Sequence, residues 1–116
     1  MTDPNCIFCK IINKEIPARI EFEDENLLAF HDIAPQAPTH VLVIPKKHIV
    51  DLDKTGPEDK ALLGEILHRA SEIAKSLGLN KDGFRVVNNM GVLGGQTVFH
   101  LHFHILGGRQ MKWPPG

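Results

Sequence analysis

The chain has little of what marks a membrane, secreted or nucleic-acid-binding protein. It has two cysteines, one tryptophan and no tyrosine, and its 13 basic and 14 acidic side chains leave a formal charge of -1. Without a basic patch, nucleic acid is not an expected partner. No stretch approaches the roughly 18 apolar residues of a membrane span. The start, MTDPNCIFCK, lacks the basic and apolar regions of a signal peptide, so we expect a cytoplasmic protein without a membrane partner.

The two cysteines, Cys6 and Cys9, form a C-x-x-C pair. In a reducing compartment this spacing indicates half of a metal site or a redox pair more than a structural disulfide. The redox motif follows a strand, and the first five residues leave no room for one, so metal binding is the better expectation. The alternative is that both thiols simply pack beside Ile7 and Phe8.

Hydrophobic patterning predicts a single domain over residues 1–116, because neither a repeat nor a low-complexity linker divides the chain. A short helix is expected over residues 6–14. Alternating and β-branched runs predict a hairpin over 18–32 and further strands over 39–47, 83–90 and 97–106. Strands in hairpin-like succession with two helices predict an α+β fold with a five-stranded antiparallel sheet. One face of the sheet should pack on the long helix and leave the other for chemistry.

The long helix has the clearest pattern. Apolar residues recur at helical spacing between residues 62 and 77, and the opposite face is charged. Thr55 and Glu58 form a capping-box sequence at its start, and Gly78 is a typical stop. His68 is expected on the solvated face, with no catalytic role.

The main signal for function is HLHFHILGG, from His100 to Gly108, in which three histidines alternate with apolar residues. Side chains two apart on a strand share one face and lie about 6.5–7 Å apart. The predicted strand therefore has an apolar face formed by Thr97, Phe99, Leu101, Phe103 and Ile105. The opposite face carries Val98, His100, His102, His104 and Leu106. An ordinary polar outer face is the simplest alternative, but three successive histidines are an unusual way to build one.

Two kinds of chemistry suit this row of imidazoles. Three histidines can bind catalytic zinc, but three in line converge poorly on one ion, so a pair with another ligand is more feasible. Alternatively, one imidazole is a nucleophile while its neighbours stabilise charge on a phosphorus centre. Gly94 and Gly95 would let backbone N–H groups approach an anion, and Gln96 and Thr97 add polar donors.

The chain resembles the histidine triad (HIT) family, whose pattern is His-x-His-x-His-x-x with apolar x. FHDIAPQAPTHVLVIPKKHI, GGQTVFHLHFHILGGRQM and WPPG resemble the HINT branch, the histidine triad nucleotide-binding proteins, and the likeness runs from about Ile7 to Gly116. The resemblance implies a HIT-like fold and a two-fold homodimer, in which the long helix and an edge strand pair into a continuous sheet. The tail over residues 107–116 would reach the partner's site, with Trp113 near the leaving group.

The resemblance also implies a reaction. His102 would attack the α-phosphorus of a purine nucleoside phosphoramidate or acyl-adenylate, and the amine or carboxylate would leave. Water would then release AMP or GMP from the nucleotidyl-histidine. His104 would contact the phosphate oxygens, the backbone at His100 would fix the tautomer of His102, and His40 would orient the triad.

The nucleotide pocket follows from the same resemblance. Gly95, Gln96 and Thr97 would contact the phosphate, and the Thr97 hydroxyl would protonate the leaving amine. Asn89 would lie beside the ribose phosphate and Asp32 would hold the ribose hydroxyls, although both are ordinary turn residues on sequence alone. The slot for the base would be formed by residues that periodicity alone places in the core: Ile7, Phe8, Ile11, Phe30 and Ile33.

Some HIT proteins and their uridylyltransferase relatives bind zinc through an N-terminal cysteine pair and two histidines. The matching residues are Cys6, Cys9, His48 and His100. Four protein ligands leave no open position, so this zinc would be structural and catalysis would require no metal. Many HINT proteins lack the cysteines, and the competing interpretation is that these side chains only pack.

Three rival functions stay open at this point: a non-catalytic purine-nucleotide sensor or scaffold, a metal-dependent hydrolase built on His100 and His104, and a dinucleoside polyphosphate hydrolase. The intact His102 argues against the first, because a binding protein needs no nucleophile. Activity that survives chelators would exclude the second. The WPPG ending favours the HINT branch over the third.

Overall fold

The computed structural model describes residues 3–116, within which a five-stranded sheet is flanked by helices. The strand order is β1-β2-β3-β5-β4, and every neighbouring pair is antiparallel. This confirms the predicted α+β class. The elements are α1 (Ile7–Ile12), β1 (Ile20–Glu23), β2 (Leu27–His31), β3 (Thr39–Pro45), 3-10 turns at Leu52–Lys54 and Pro57–Asp59, α2 (Lys60–Ser76), β4 (Phe84–Val87) and β5 (Phe103–Gly107).

Apolar side chains cover the central strands on both faces. On β3, Val41 and Val43 face α2, while Leu42 and Ile44 belong to a second cluster with α1. The stripe that α2 buries is Ile66, Ala70, Ile73 and Ala74, at the spacing of a helix face. The second face is therefore less open than we expected, because α1 packs over β2 and β3.

The start of α2 differs from the predicted capping box. The Thr55 hydroxyl donates to the carbonyl of Leu52 at 2.8 Å. Asp59 occupies the N-cap position, but its carboxylate does not bond to the N–H groups of the helix: it accepts from the Gly56 N–H at 3.0 Å and from the Lys47 ammonium at 2.7 Å. Thr55 does not cap α2, because the 3-10 turn at Pro57–Asp59 separates the two and the N-cap position is occupied by Asp59. The other end agrees with the prediction, since Gly78 adopts φ +78° one residue after the C-cap Leu77.

The histidine strand is shorter than predicted. β5 begins at Phe103, and residues 97–102 lie outside the sheet. Leu101 donates its N–H to the carbonyl of Ile49 at 2.7 Å instead of joining the ladder. Phe99, expected in the core, is 49% exposed, because the alternation on which that prediction depended stops before β5. At the other end, Gly107 is still part of β5, so the tail begins one residue later than expected.

Two further expectations concern the surface. The side chain of His68 is 75% exposed on α2, as predicted. Within residues 3–116, no helix is both long and apolar enough to cross a membrane.

Candidate functional site

Five of the seven histidines lie around β3 and the start of β5 in two groups. Of the other two, His31 pairs with Glu21 and His68 is exposed on α2. His102 and His104 have ring centroids 5.0 Å apart, and His40 lies 5.1 Å from His104. His100 instead faces His48, at 4.9 Å. Residues 97–102 lie outside the sheet, and the three motif histidines are divided between the two groups.

The ring of His102 has a defined tautomer. Its Nδ1 lies 2.7 Å from the carbonyl oxygen of His100. Because a carbonyl can only accept, Nδ1 carries the proton. The neutral ring then has its lone pair on Nε2, which is the atom a nucleophile needs. The predicted contact with the His100 backbone is present.

The ring of His104 has the opposite tautomer. The N–H of Gln36 donates to Nδ1 of His40 at 3.0 Å, so neutral His40 carries its proton on Nε2. That Nε2–H donates to Nδ1 of His104 at 2.8 Å. The proton of neutral His104 is consequently on Nε2, where it can donate to a phosphate oxygen. Asp32 lies beside this pair, its Oδ2 3.6 Å from His40 Nε2.

The same proton positions argue against a second metal centre. Potential ligand atoms of Asp32, His40 and His104 lie within 4.8 Å of one another. However, both nitrogens of neutral His40 are occupied, one accepting from Gln36 and the other carrying a proton. His40 has no lone pair for a cation, and we assign this group to hydrogen bonding.

Burial keeps these rings neutral. Desolvation lowers the pKa of His102, opposed by its hydrogen bond to His100 and by the charge of Asp32. It lowers the pKa of His104 to about 4, with further lowering by positive charge on His102 and His40. The pKa of His40 is also lowered, chiefly by burial. An imidazole that is neutral at pH 7 retains the lone pair required for attack.

The glycine loop before the motif is held by side-chain amides. Asn89 donates to the carbonyl of Gly94 at 2.7 Å. Gly95 has φ +83°, and a Cβ on Gly94 would lie 2.2 Å from the backbone oxygen of Met90. These positions require glycine for backbone conformation and close approach respectively. Thr97, at the exit of the loop, is exposed.

Gln96 lies behind this loop rather than on its surface. It is 6% exposed, and its Oε1 accepts from the N–H of Gly91 at 2.8 Å. Its Nε2 donates to the carbonyls of Val50 at 2.9 Å and Val98 at 3.1 Å. All of the polar atoms of the side chain are therefore engaged with backbone, which makes Gln96 a support for the loop.

The residues expected to hold the nucleoside occupy different environments. Phe8, Ile11 and Phe30 are buried in the α1 cluster, and the Phe8 ring stands edge-on to His102 at 5.2 Å. Ile7 and Ile33 are 47% and 99% exposed. Asp32 accepts from the Ala34 N–H through Oδ1 at 2.8 Å, and Trp113 is 83% exposed. The structure thus brings Phe8 to the triad and leaves Ile33 and Trp113 at the surface.

A second cluster of polar side chains lies where α1 packs against the end of β3. The sulfur atoms of Cys6 and Cys9 and the Nδ1 atoms of His48 and His100 all lie within 4.8 Å of one another. His100 Nδ1 is 3.4 Å from Cys6 Sγ, 3.6 Å from Cys9 Sγ and 3.1 Å from His48 Nδ1. Cys9 Sγ is 3.3 Å from His48 Nδ1.

This set of donors fits a tetrahedral zinc ion. With bonds of about 2.3 Å to sulfur and 2.05 Å to nitrogen, ligand atoms would be separated by about 3.4–3.8 Å. His100 donates from Nε2 to the carbonyl of Pro45 at 2.8 Å, so the lone pair on Nδ1 faces the group. Nε2 of His48 lies 3.9 Å from a carboxylate oxygen of Asp3. Burial raises the pKa of the Cys9 thiol, a cost that a bound cation would offset.

A surface hollow of about 520 Å³ lies away from the triad, near the end of α2, and is lined by residues that include Asp82, Arg85 and Arg109. Its lining contains no histidine, cysteine, serine or threonine. We therefore place the candidate reaction at His102 on chemical grounds.

Sequence reasoning missed the groups that orient the histidines. The N–H of Gln36 and the carbonyl of Pro45 are backbone atoms, so no side-chain motif reveals them. Asn88, which donates to the carbonyl of His102 at 2.9 Å, carried no signal beyond its position beside Asn89.

Comparison with known proteins gives consistent similarities. A family model described as the HIT domain matches residues 13–111, which include His40, the glycine loop and the triad but neither Cys6 nor Cys9. An uncharacterized HIT-like protein of Synechocystis sp. is 59% identical over 110 residues, covering 95% of this chain and 96% of that protein.

Solved structures agree with this likeness. A HIT family hydrolase from Legionella pneumophila Philadelphia 1 is similar with a TM-score of 0.95 and 56% identity, over 97% of this chain and 100% of that one. A histidine triad nucleotide-binding protein from Candida albicans has a TM-score of 0.81 and 37% identity, over 95% and 83% of the two chains.

Proposed function

The chain belongs to the HIT family, and from that premise we propose that it is a nucleotide-binding hydrolase of the HINT branch. Its substrates are purine nucleoside phosphoramidates and acyl-adenylates, and its product is the nucleoside monophosphate. The observation that carries the proposal is the hydrogen bond from His102 Nδ1 to the His100 carbonyl, at 2.7 Å. It leaves a buried, neutral imidazole with its lone pair on Nε2.

In the first step, His102 Nε2 attacks the α-phosphorus while the bond from phosphorus to the amine nitrogen, or to the acyl oxygen, breaks. Nδ1 of His102 keeps its proton, and the His100 carbonyl stabilises the positive charge that the ring acquires. Nε2–H of His104 and the backbone of the Gly94–Gly95 turn stabilise the phosphate oxygens. The exposed hydroxyl of Thr97 passes its proton to a leaving amine and takes one back from solvent; a carboxylate leaves without one.

In the second step, water attacks the phosphorus of the nucleotidyl-histidine. The bond between phosphorus and Nε2 breaks, and the electron pair returns to the ring of His102. AMP or GMP leaves with the oxygen of the water molecule, and the proton that the water loses passes to solvent. Asp32 and Asn89 hold the ribose and its phosphate, and the apolar surface beside Phe8, with Ile7 and Ile33, accommodates the base.

The test is amine release from adenosine 5′-phosphoramidate. We expect turnover by the parent chain, with and without EDTA, and loss by a factor on the order of 10⁴ or more in His102→Ala. His68→Ala is the matched control, because His68 lies on the solvated face of α2. A trapped nucleotidyl group on His102, detected by mass spectrometry, would establish the intermediate.

Other outcomes point to the rival functions. AMP binding without turnover would leave a nucleotide sensor. Turnover abolished by EDTA while the Tm stays unchanged would indicate metal-dependent hydrolysis, because loss of a structural ion would also lower the Tm. Preference for diadenosine polyphosphates over the phosphoramidate would indicate the dinucleoside polyphosphate branch.

We also propose that Cys6, Cys9, His48 and His100 hold a structural zinc ion. The distances among their ligand atoms, the lone pair of His100 and the carboxylate behind His48 support this assignment. The ion would link α1 to β3 and fix the His100 ring; it would have no open position for a substrate. We expect one zinc per chain by elemental analysis, and less than a tenth of that in the double variant Cys6→Ser/Cys9→Ser. An unchanged zinc content in that variant would refute the site.

The assembly that we propose is a homodimer through β4. This strand lies at the edge of the sheet, and the apolar Trp113 and Leu67 are 83% and 51% exposed in a single chain. Pairing two copies of β4 would extend the sheet and bring the tail of one chain to the other's site. Light scattering at micromolar concentration should give about twice the mass of one chain, and a monomer would contradict the proposal.

A further inference from the structure

Asn88 lies between β4 and the glycine loop, and nothing in the proposed reaction uses it. Its Nδ2 donates to the carbonyl of His102, the residue that carries the attacking nitrogen, at 2.9 Å. The neighbouring Asn89 donates to the carbonyl of Gly94 at 2.7 Å. Two successive side chains at the end of β4 thus hold the backbone of His102 and the glycine loop.

The carbonyl of His102 needs this partner because both ladders of β5 end before it. The last pair of β4 and β5 is Val87 with His104, and the last pair of β3 and β5 is Val43 with Phe103. His102 is also 5% exposed, so water has little access to satisfy its backbone. An unpaired carbonyl in such surroundings is unfavourable, and the amide of Asn88 substitutes for the missing rung of the sheet.

The remaining contacts around this segment show what that bond fixes. Leu101 donates to Ile49 at 2.7 Å, and the ring of His102 donates to the carbonyl of His100 at 2.7 Å. These bonds hold the chain before the nucleophile and orient its ring. Asn88 is the contact that holds the backbone on the far side of the same residue, next to the return into β5.

From this geometry we infer that Asn88 is a positioning residue for the nucleophile: its amide sets the backbone of His102 relative to the phosphate loop that Asn89 holds. It does not contact substrate. The inference rests on the proposed phosphoryl chemistry, in which the attacking atom must approach phosphorus along a defined line, so that a misplacement of about 1 Å can reduce the rate about 100-fold.

The experiment compares Asn88→Ala with the parent and with Asn80→Ala, an exposed turn residue, as a matched control. Two quantities are measured: the stoichiometry of AMP binding by calorimetry, and the single-turnover rate with adenosine 5′-phosphoramidate. We expect Asn88→Ala to bind one AMP per chain with an affinity within about threefold of the parent, and to react about 10- to 100-fold more slowly. Asn80→Ala should match the parent in both.

Each other outcome overturns something definite. If Asn88→Ala binds less than one AMP per chain while its bound fraction reacts at the parental rate, Asn88 is a folding residue and the inference fails. If both its stoichiometry and its rate equal those of the parent, the bond is dispensable and the inference also fails. A parent chain without any turnover would overturn the proposed function, and this inference with it.

Discussion

The Gln96 side chain could either support the glycine loop or contact the phosphate of the nucleotide. Replacing it distinguishes these two roles. The resemblance to HINT proteins predicts a phosphate contact, whereas the structure engages the amide with the N–H of Gly91 and with the carbonyls of Val50 and Val98. Replacing Gln96 with alanine removes all three bonds at once. At about 0.5–1.5 kcal/mol net for each, the expected loss of unfolding free energy is roughly 1.5–4.5 kcal/mol.

Thermal and urea denaturation measure this loss. For a domain of this size, 1 kcal/mol corresponds to about 4 °C in Tm, so Gln96→Ala should melt roughly 6–18 °C lower. Gln96→Glu is a nearly isosteric comparison: it keeps an acceptor for Gly91 but points carboxylate oxygens at two carbonyls. We expect it to be at least as destabilised as the alanine variant at pH 7.

Affinity for AMP is then measured well below the melting range of each variant. A supporting residue should cause a large fall in Tm and only a small change in AMP affinity once the chain is folded. The reasoning would be refuted by a Gln96→Ala protein that melts like the parent but no longer binds AMP. That result would mean that the amide leaves its backbone partners to contact the nucleotide.

The remaining predictions concern the loop, the leaving group and pH. Gly94→Ala should reduce turnover at least 10-fold, because its Cβ would meet the Met90 carbonyl at 2.2 Å; steady-state kinetics will measure this. Thr97→Ser should retain turnover, while Thr97→Val should slow amine release about 10- to 100-fold and affect carboxylate leaving groups less. The pKa of His104 is about 4 in the fold and about 6.5 unfolded. Between these two pH values the unfolded chain binds a proton on His104 and the folded chain does not. The free energy of unfolding is therefore unaffected by His104 above pH 6.5 and falls by at most about 1.4 kcal/mol per pH unit towards pH 4. Urea titrations at pH 7, 6 and 5 should show that the free energy of unfolding falls less steeply with decreasing pH in His104→Asn than in the parent. An equal fall in both proteins would contradict this.

The elements with strong local patterns were predictable from the sequence. The apolar stripe and glycine stop of α2 and the alternating runs of β1 to β4 depend on neighbouring residues alone, and the structure has them close to the expected positions. The predicted Thr55 cap of α2 was wrong because the helix begins only at Lys60, after a 3-10 turn whose last residue, Asp59, bonds to Lys47, a residue distant in the sequence. The residues near the start of α2 therefore could not predict this contact.

The start of β5 shows the same limit at the site itself. Alternation from Thr97 to Leu106 is regular in the sequence, yet the strand begins only at Phe103. Distant groups determine the break: Ile49 binds the N–H of Leu101, and Pro45 binds the ring of His100. Each belongs to the segment around the end of β3, so the sequence of the motif alone could not reveal that its histidines separate.

Backbone atoms explain how three histidines of one motif can perform different tasks. The Pro45 carbonyl takes the Nε2 proton of His100 and turns its Nδ1 towards the cysteines, while the His100 carbonyl takes the Nδ1 proton of His102 and leaves Nε2 for attack. For His104 the proton position is set by the hydrogen bond from His40, whose own proton position is set by the N–H of Gln36. Since the groups that orient His100 and His102 are main-chain carbonyls, no side-chain substitution deletes them directly, whereas replacing His40 would remove the donor to His104. The positions of the ring protons on His100 and His102 are therefore a property of the fold. They should be the same in any variant whose backbone keeps the same positions at the end of β3 and the start of β5.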